Sequence, residues 1–270
     1  MTETGYAQVG DLRMYYEIHG EGEPLLFVHG AYMTIDSSGP IVSRLAETRQ
    51  VVAVELQGHG RTADVDRPIT YEGMADDAAA AIRQLGHDQL DVVGFSMGGG
   101  VALQLAIRHP GIARRLVVIS AGYRYDAMPA EAIEMFPSIT PEMFAGSPLE
   151  EEYLRIAPKP EEFPSLVWKL KELDTTPFAW PEEDVRGIAA PTLIIVGDSD
   201  VVRLEHAVEL FRLRGGGVMG DLSGLPESQL AVLPGTSHFI PPGFGVMDRA
   251  DWLLAMIRPF LDPPEVVPPV

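Results

Sequence analysis

Cysteine is absent from the 270 residues, which excludes disulfides, thiolate metal ligands and a cysteine nucleophile. Basic residues are scarce: 20 Lys and Arg stand against 39 Asp and Glu, a formal net charge of -19. A nucleic-acid surface needs clustered Lys and Arg to neutralise phosphates, so nucleic acid is not expected as a partner. The acidity reads instead as a source of solubility. No apolar run approaches the ~18 residues of a membrane-spanning helix. The start, M-T-E-T-G-Y, has neither the basic stretch nor the apolar core of a signal peptide. A membrane partner is therefore not expected, and a cytoplasmic location is. Neither H-E-x-x-H nor G-x-x-x-x-G-K occurs, so no metal or organic cofactor is expected.

What is present is an ordered series of short apolar runs. Tyr6 to Val9 and Leu12 to Ile18 flank Gly10-Asp11 and predict a hairpin. Leu25 to Val28, Val51 to Val54, Leu90 to Val93, Leu116 to Ile119, Leu193 to Val196 and Ala231 to Leu233 lack polar alternation. Such runs suit strands buried on both faces of a largely parallel sheet. Helical spacing lies between them, over Tyr71 to Leu85, Met97 to Arg108, Val201 to Leu213 and Asp251 to Leu261. The alternation predicts an α/β fold with a doubly wound, mostly parallel, eight-stranded sheet. It breaks between Ile119 and Pro191, a stretch too long for a structureless loop. Helical pieces at Ala130 to Met135, Leu149 to Ile156 and Glu161 to Leu173 make it an inserted helical cap. The expected organisation is a core of residues 1–120 and 188–262, a cap over 121–187, and a loose Pro-rich tail over 263–270.

The sharpest motif is Gly94-Phe95-Ser96-Met97-Gly98, between the strand ending at Val93 and the helix opening at Met97. A serine hydroxyl becomes a nucleophile when it is exposed, oriented and next to a base. A tight strand-to-helix turn supplies exposure and orientation, and small flanking residues let strand and helix pass closely. Taken alone, G-x-S-x-G also fits a serine capping a helix in a glycine-rich turn. The strand before it and the helix after it favour the nucleophile.

With these segments in order, the chain resembles the α/β-hydrolase family from Tyr6 to Leu261. L-L-F-V-H-G (Leu25 to Gly30), Q-G-H-G-R-T (Gln57 to Thr62), G-F-S-M-G-G (Gly94 to Gly99), V-G-D-S-D (Val196 to Asp200) and L-P-G-T-S-H (Leu233 to His238) carry the likeness. It is similar to small bacterial esterases and cofactor-free haloperoxidase-like members. The resemblance implies Ser96 as nucleophile, His238 as general base, and the backbone N–H groups of Ala31 and Met97 as oxyanion hole. Asp198 and Asp200 both follow the strand Leu193 to Val196; the resemblance favours Asp200 as the acid and leaves Asp198 to bond turn amides. His29 and His59 then shape loops. The departures are the lack of a proline near Leu204 and the length of the glycine-rich segment from Gly215 to Pro226.

The reading is a serine hydrolase that cleaves small or medium carboxylic esters through an acyl-enzyme, with a small molecule as its partner. Homo-oligomerisation is compatible with it. The same triad also serves lactone, thioester or carbon–carbon bond hydrolysis and perhydrolysis, and the scaffold serves ligand binding without turnover. The cap is expected to set the substrate, with apolar residues such as Met128, Met135, Phe136, Trp168, Phe178 and Trp180 in excess of what its helices bury.

Overall fold

The computed structural model describes residues 2–239 and 242–263. Its centre is an eight-stranded sheet: β1 Thr2–Val9, β2 Leu12–His19, β3 Pro24–Val28, β4 Gln50–Val54, β5 Leu90–Phe95, β6 Ala113–Ile119, β7 Thr192–Ser199 and β8 Gln229–Ser237. Their order across the sheet is β1-β2-β4-β3-β5-β6-β7-β8. β1 runs antiparallel to β2, and β2 to β4, while every later pair is parallel.

The continuous apolar runs follow from this burial. In β3, Leu25 and Phe27 enter one face of the core while Leu26 and Val28 enter the other. Successive side chains of a strand point to opposite faces, so a strand covered on both sides has no polar positions to alternate with. One face is covered by α1 Ile41–Leu45 and, near the end of the chain, α10 Ala250–Leu261. The other carries α2 Tyr71–Gln84, α3 Met97–Arg108 and two later helices, over Glu182–Gly187 and Leu204–Leu213.

Between β6 and β7 the chain forms α4 Ala130–Met135, α5 Pro148–Ile156, α6 Phe163–Thr175 and α7 Glu182–Gly187, with two 3₁₀ turns between α4 and α5 and one between α5 and α6. After β7 come α8 Leu204–Leu213 and the short α9 Gly220–Ser223. Two local expectations are corrected. The helix read from Val201 begins at Leu204, because the backbone before it bonds elsewhere: Val202 N–H donates to Asp200 and Arg203 N–H to the Ala127 carbonyl, at 3.4 and 2.8 Å. The last strand, read as buried on both faces, is an edge strand, with Leu233 buried and Val232 44% exposed. The expected tail lies outside the described residues from position 264 onward. No described helix is long and apolar enough to cross a membrane.

Connectivity fixes where a site must form. From β3 the chain moves to β4 on one side, then crosses β3 to place β5 on the other. The crevice beyond the carboxyl ends of β3 and β5 is the switch point at which doubly wound sheets bind ligands. Gly30 follows β3 there, and Ser96 follows β5.

Candidate active site

Ser96 has φ 53° and ψ -120°, a left-handed conformation that a non-glycine residue rarely adopts. The turn closes because its flanks are bare. A Cβ on Gly94 would come within 2.1 Å of the Gly98 carbonyl oxygen, and one on Gly98 within 2.3 Å of the Val28 carbonyl oxygen. Strand β5, helix α3 and the end of β3 thus touch backbone to backbone, and the serine is held at the head of the helix.

Ser96 Oγ lies 2.9 Å from His238 Nε2, and His238 Nδ1 lies 2.7 Å from Asp200 Oδ1. The three residues come from the turn after β5, the loop after β8 and the turn after β7. His238 is braced on its other side by the ring of Phe95, stacked at 5.2 Å between centroids. The Asp200 side chain is fully buried. Burial pushes its carboxyl group up, but the His238 hydrogen bond and charge, the Ser120 hydroxyl and the Gly197 N–H outweigh this and hold it below its ordinary value. The Ser120 hydroxyl donates to Asp200 Oδ2 at 2.5 Å and Gly197 N–H at 3.1 Å. Ser120 was not singled out in the sequence; its only signal is its place directly after β6.

Asp198, the other acid considered, is directed away from the histidine. It accepts from Gly235 N–H at 2.8 Å and Thr236 N–H at 3.1 Å, clamping β7 to the bend of β8. Those amides draw its carboxyl group below the ordinary range.

Ala31 and Met97 line the same cavity as Ser96. Neither backbone N–H donates to an acceptor among the described residues, so both are free to meet an anionic oxygen. A turn with Met33 N–H on the Gly30 carbonyl at 3.2 Å, and Tyr32 at φ 62°, shapes the loop around Ala31. His29 braces it from below: its Nδ1 contacts the Gly30 carbonyl at 2.7 Å, and its Nε2 accepts the Leu56 N–H at 3.1 Å. The second contact fixes the neutral tautomer, and burial lowers the pKa of His29 to about 4. Neighbouring His59 is likewise buried and lowered to about 3. Both histidines are structural. Glu55 ties the two loops together, accepting from Ile35 N–H, Arg61 N–H and the Arg61 guanidinium.

The cavity holds about 560 Å³ and is mostly apolar. That volume suits a small or medium molecule. Besides Ser96, Asp200 and His238, its walls include Tyr71, Phe95, Arg124, Tyr125, Met128, Met135, Phe136, Leu149, Leu173, Asp174 and Phe178. Of the apolar residues expected there, Met128, Met135, Phe136 and Phe178 reach it. Trp168 does not: it is 48% exposed and stands beside Lys171, whose Nζ is 5.1 Å from the ring centroid. Trp180 is buried in the core behind Phe178.

Comparisons with known proteins identify the family and the fold. The family model described as "Alpha/beta hydrolase family" matches residues 25–255. A proposed carbamate hydrolase of Azorhizobium caulinodans is 31% identical over 153 residues, 57% of this chain and 56% of that protein. A 2-hydroxymuconate semialdehyde hydrolase of Pseudomonas sp. (strain CF600) is 36% identical over 111 residues, 39% of each chain. The aligned stretch thus spans little more than half of the first relative and less than half of the second. A solved thermophilic esterase from Thermogutta terrifontis superposes with a TM-score of 0.70 at 22% identity, covering 97% of this chain and 98% of the other. At that identity the likeness is one of fold.

Proposed function

From the premise that the chain belongs to the alpha/beta hydrolase family, we propose that it is a serine hydrolase cleaving small or medium carboxylic esters. Ser96 attacks the carbonyl carbon while His238 takes the hydroxyl proton. Asp200 holds the imidazole tautomer and offsets the charge it gains. The amides of Ala31 and Met97 meet the oxyanion, where loss of one such donor typically costs ~3 kcal/mol of transition-state stabilisation. His238 then passes its proton to the leaving alcohol, and water repeats the sequence on the acyl-enzyme. The observation that carries the reading is the continuous pair of contacts, 2.9 Å from Ser96 to His238 and 2.7 Å from His238 to Asp200.

Carbon–carbon bond hydrolysis is the second reading, favoured by the 36% identity to the semialdehyde hydrolase. That substrate class, derived from a muconate, is anionic. The cavity of this chain offers Asp174 without a counter-ion and Arg124 already bound to Glu209 and Asp126, which favours esters over anions.

The test is labelling with a fluorophosphonate followed by peptide mass spectrometry, together with hydrolysis of p-nitrophenyl acetate and butyrate. The expected result is one adduct, on the Ser96 peptide, and loss of ester cleavage in Ser96→Ala. Labelling elsewhere, or undiminished cleavage by Ser96→Ala, overturns the proposal.

A further inference from the structure

One wall of the cavity carries a group that the triad does not use. Asp174 stands at the C-terminal end of α6 and faces the same cavity as Ser96. Its carboxylate has no hydrogen bond and no ion pair among the described residues, and no cation contributes to its electrostatics. The guanidinium that also lines the cavity, that of Arg124, is committed elsewhere: it gives Nη1 and Nη2 to Glu209 at 2.7 and 2.8 Å, and Nε to Asp126 at 2.6 Å. The negative end of the helix dipole makes the position worse still for an anion. Enclosure alone raises the carboxyl pKa from 3.8 to about 7. By surface area the residue as a whole is half-buried, and it lines the cavity together with Ser96. An enclosed carboxylate without a partner is destabilising, and such groups mark sites where a partner arrives from outside.

The surroundings indicate the partner's charge. Among the groups that feel the Asp174 charge are the phenols of Tyr32, Tyr71 and Tyr125, from the loop after β3, the start of α2 and the segment after β6, all three of which line the same cavity. Phe178 joins two of them, with ring centroids 5.2 Å from Tyr71 and 6.4 Å from Tyr125. Aromatic faces beside an anion attract a cation through the ring quadrupole, and most strongly a weakly hydrated ammonium. The wall is also close to the nucleophile. The Tyr71 ring lies against Gly100, one helical turn beyond Ser96, where an added Cβ would sit 2.5 Å from a ring carbon. The overall charge of -19 further raises the local concentration of cations.

We propose that Asp174, with the faces of Tyr71, Tyr125 and Phe178, is a cation subsite, and that the preferred substrates carry an ammonium group a short distance from the bond that Ser96 attacks. The substrate class rests on the ester-hydrolase reading, whereas binding of the cation does not.

Two measurements separate these. The first compares kcat/KM for butyrylcholine and 3,3-dimethylbutyl butyrate, which differ in a quaternary nitrogen against a quaternary carbon. The wild type is expected to favour the charged ester by roughly tenfold or more, mostly through KM, the size of a desolvated cation–aromatic contact. Asp174→Asn, of equal volume, is expected to bring the ratio close to one, and Phe178→Leu to lower it in part. The second is calorimetric binding of butyltrimethylammonium to Ser96→Ala, which needs no turnover, with the Ser96→Ala, Asp174→Asn double variant expected to lose that binding. Equal use of both esters by the wild type, with no ammonium binding, overturns the subsite and leaves the esterase reading in place. Asp174-dependent ammonium binding without cleavage of either ester supports the subsite and overturns the esterase reading. A charged-ester preference that survives in Asp174→Asn overturns the role of Asp174, provided the melting curve of the variant shows it folded.

Discussion

At the residue scale the site is a set of conformations the chain would not adopt on its own. Ser96 at φ 53° and Ser120 at φ 53° both sit in the left-handed region, directly after adjacent strands β5 and β6. Strain of this kind, of order 1–3 kcal/mol per residue, persists where the surroundings over-determine it. For Ser96 they do so through the glycine contacts, and for Ser120 through its bond to Asp200. The two aspartates after β7 then separate by what they touch. Asp200 meets His238, so Asp200→Asn is expected to lower kcat by up to ~10⁴ through the wrong imidazole tautomer. Asp198 meets only backbone amides and a neighbouring hydroxyl, so Asp198→Asn is expected to retain most of kcat and to lower the melting temperature. Steady-state kinetics and thermal melts of the two variants decide the assignment, and the reverse pattern would make Asp198 the acid. Ser120→Ala removes one donor from a buried carboxylate and is expected to reduce kcat modestly while leaving KM in place. Ser96, His238 and Asp200, which the structure brings into contact, were legible as candidates because each follows a strand within a short motif. Ser120, Glu55 and Asp174 were not, since a lone polar residue carries no periodicity and its role comes from what the fold brings beside it.

At the element scale, legibility tracks burial. Helix α3 starts at Met97 and ends at Arg108 as the spacing indicates, since its whole inner face is core. The start of α8 and the character of β8 differ from expectation because contacts that pattern cannot report, with Ala127 and at the sheet edge, decide them. The same limit governs the segment between β6 and β7. Three of its helices, α4, α5 and α6, are found where helical spacing places them, while the short α7 has no such signal; which aromatic faces the cavity depends on how the segment is set down on the sheet. Trp168 points to solvent, while Phe136 and Leu149 line the cavity. On the proposed ester-hydrolase reading, acyl-chain preference therefore belongs to the latter. Each buried methylene contributes ~0.8 kcal/mol, about fourfold in kcat/KM. Phe136→Ala and Leu149→Ala are expected to move the optimum in a p-nitrophenyl ester series to longer chains, and Trp168→Ala to leave it where it is. A series in which all three variants keep the wild-type optimum would show that this wall does not measure the chain.

At the scale of the whole molecule, the two cavity carboxylates act on stability in opposite directions. Asp200 is held below its ordinary value, so its contribution is present above the unfolded-state pKa and is lost as pH falls through the folded one. Asp174 is raised from 3.8 to about 7. Between those values the folded state holds a proton that the unfolded chain has released, so stability falls as pH rises through that window and levels off above it. Glu55, also raised to about 7 by burial, gives a slope of the same sign. The pH dependence of the wild type alone therefore cannot be assigned to one residue. The difference between wild type and Asp174→Asn can, because Glu55 is common to both. An amide does not ionise, so the variant should match the wild type near pH 4 and exceed it by roughly 1–3 kcal/mol at pH 8, part of the full shift being lost to the solvent that the cavity admits. Urea melts at intervals from pH 4 to 8 would show the two curves diverging as the pH rises. A constant offset, or a variant less stable at pH 8, would mean that the Asp174 carboxylate is not held against its own ionisation. Saturating butyltrimethylammonium should narrow the gap at pH 8 by stabilising the wild type alone, since a ligand that binds the ionised folded form adds RT ln(1 + [L]/Kd) to its stability.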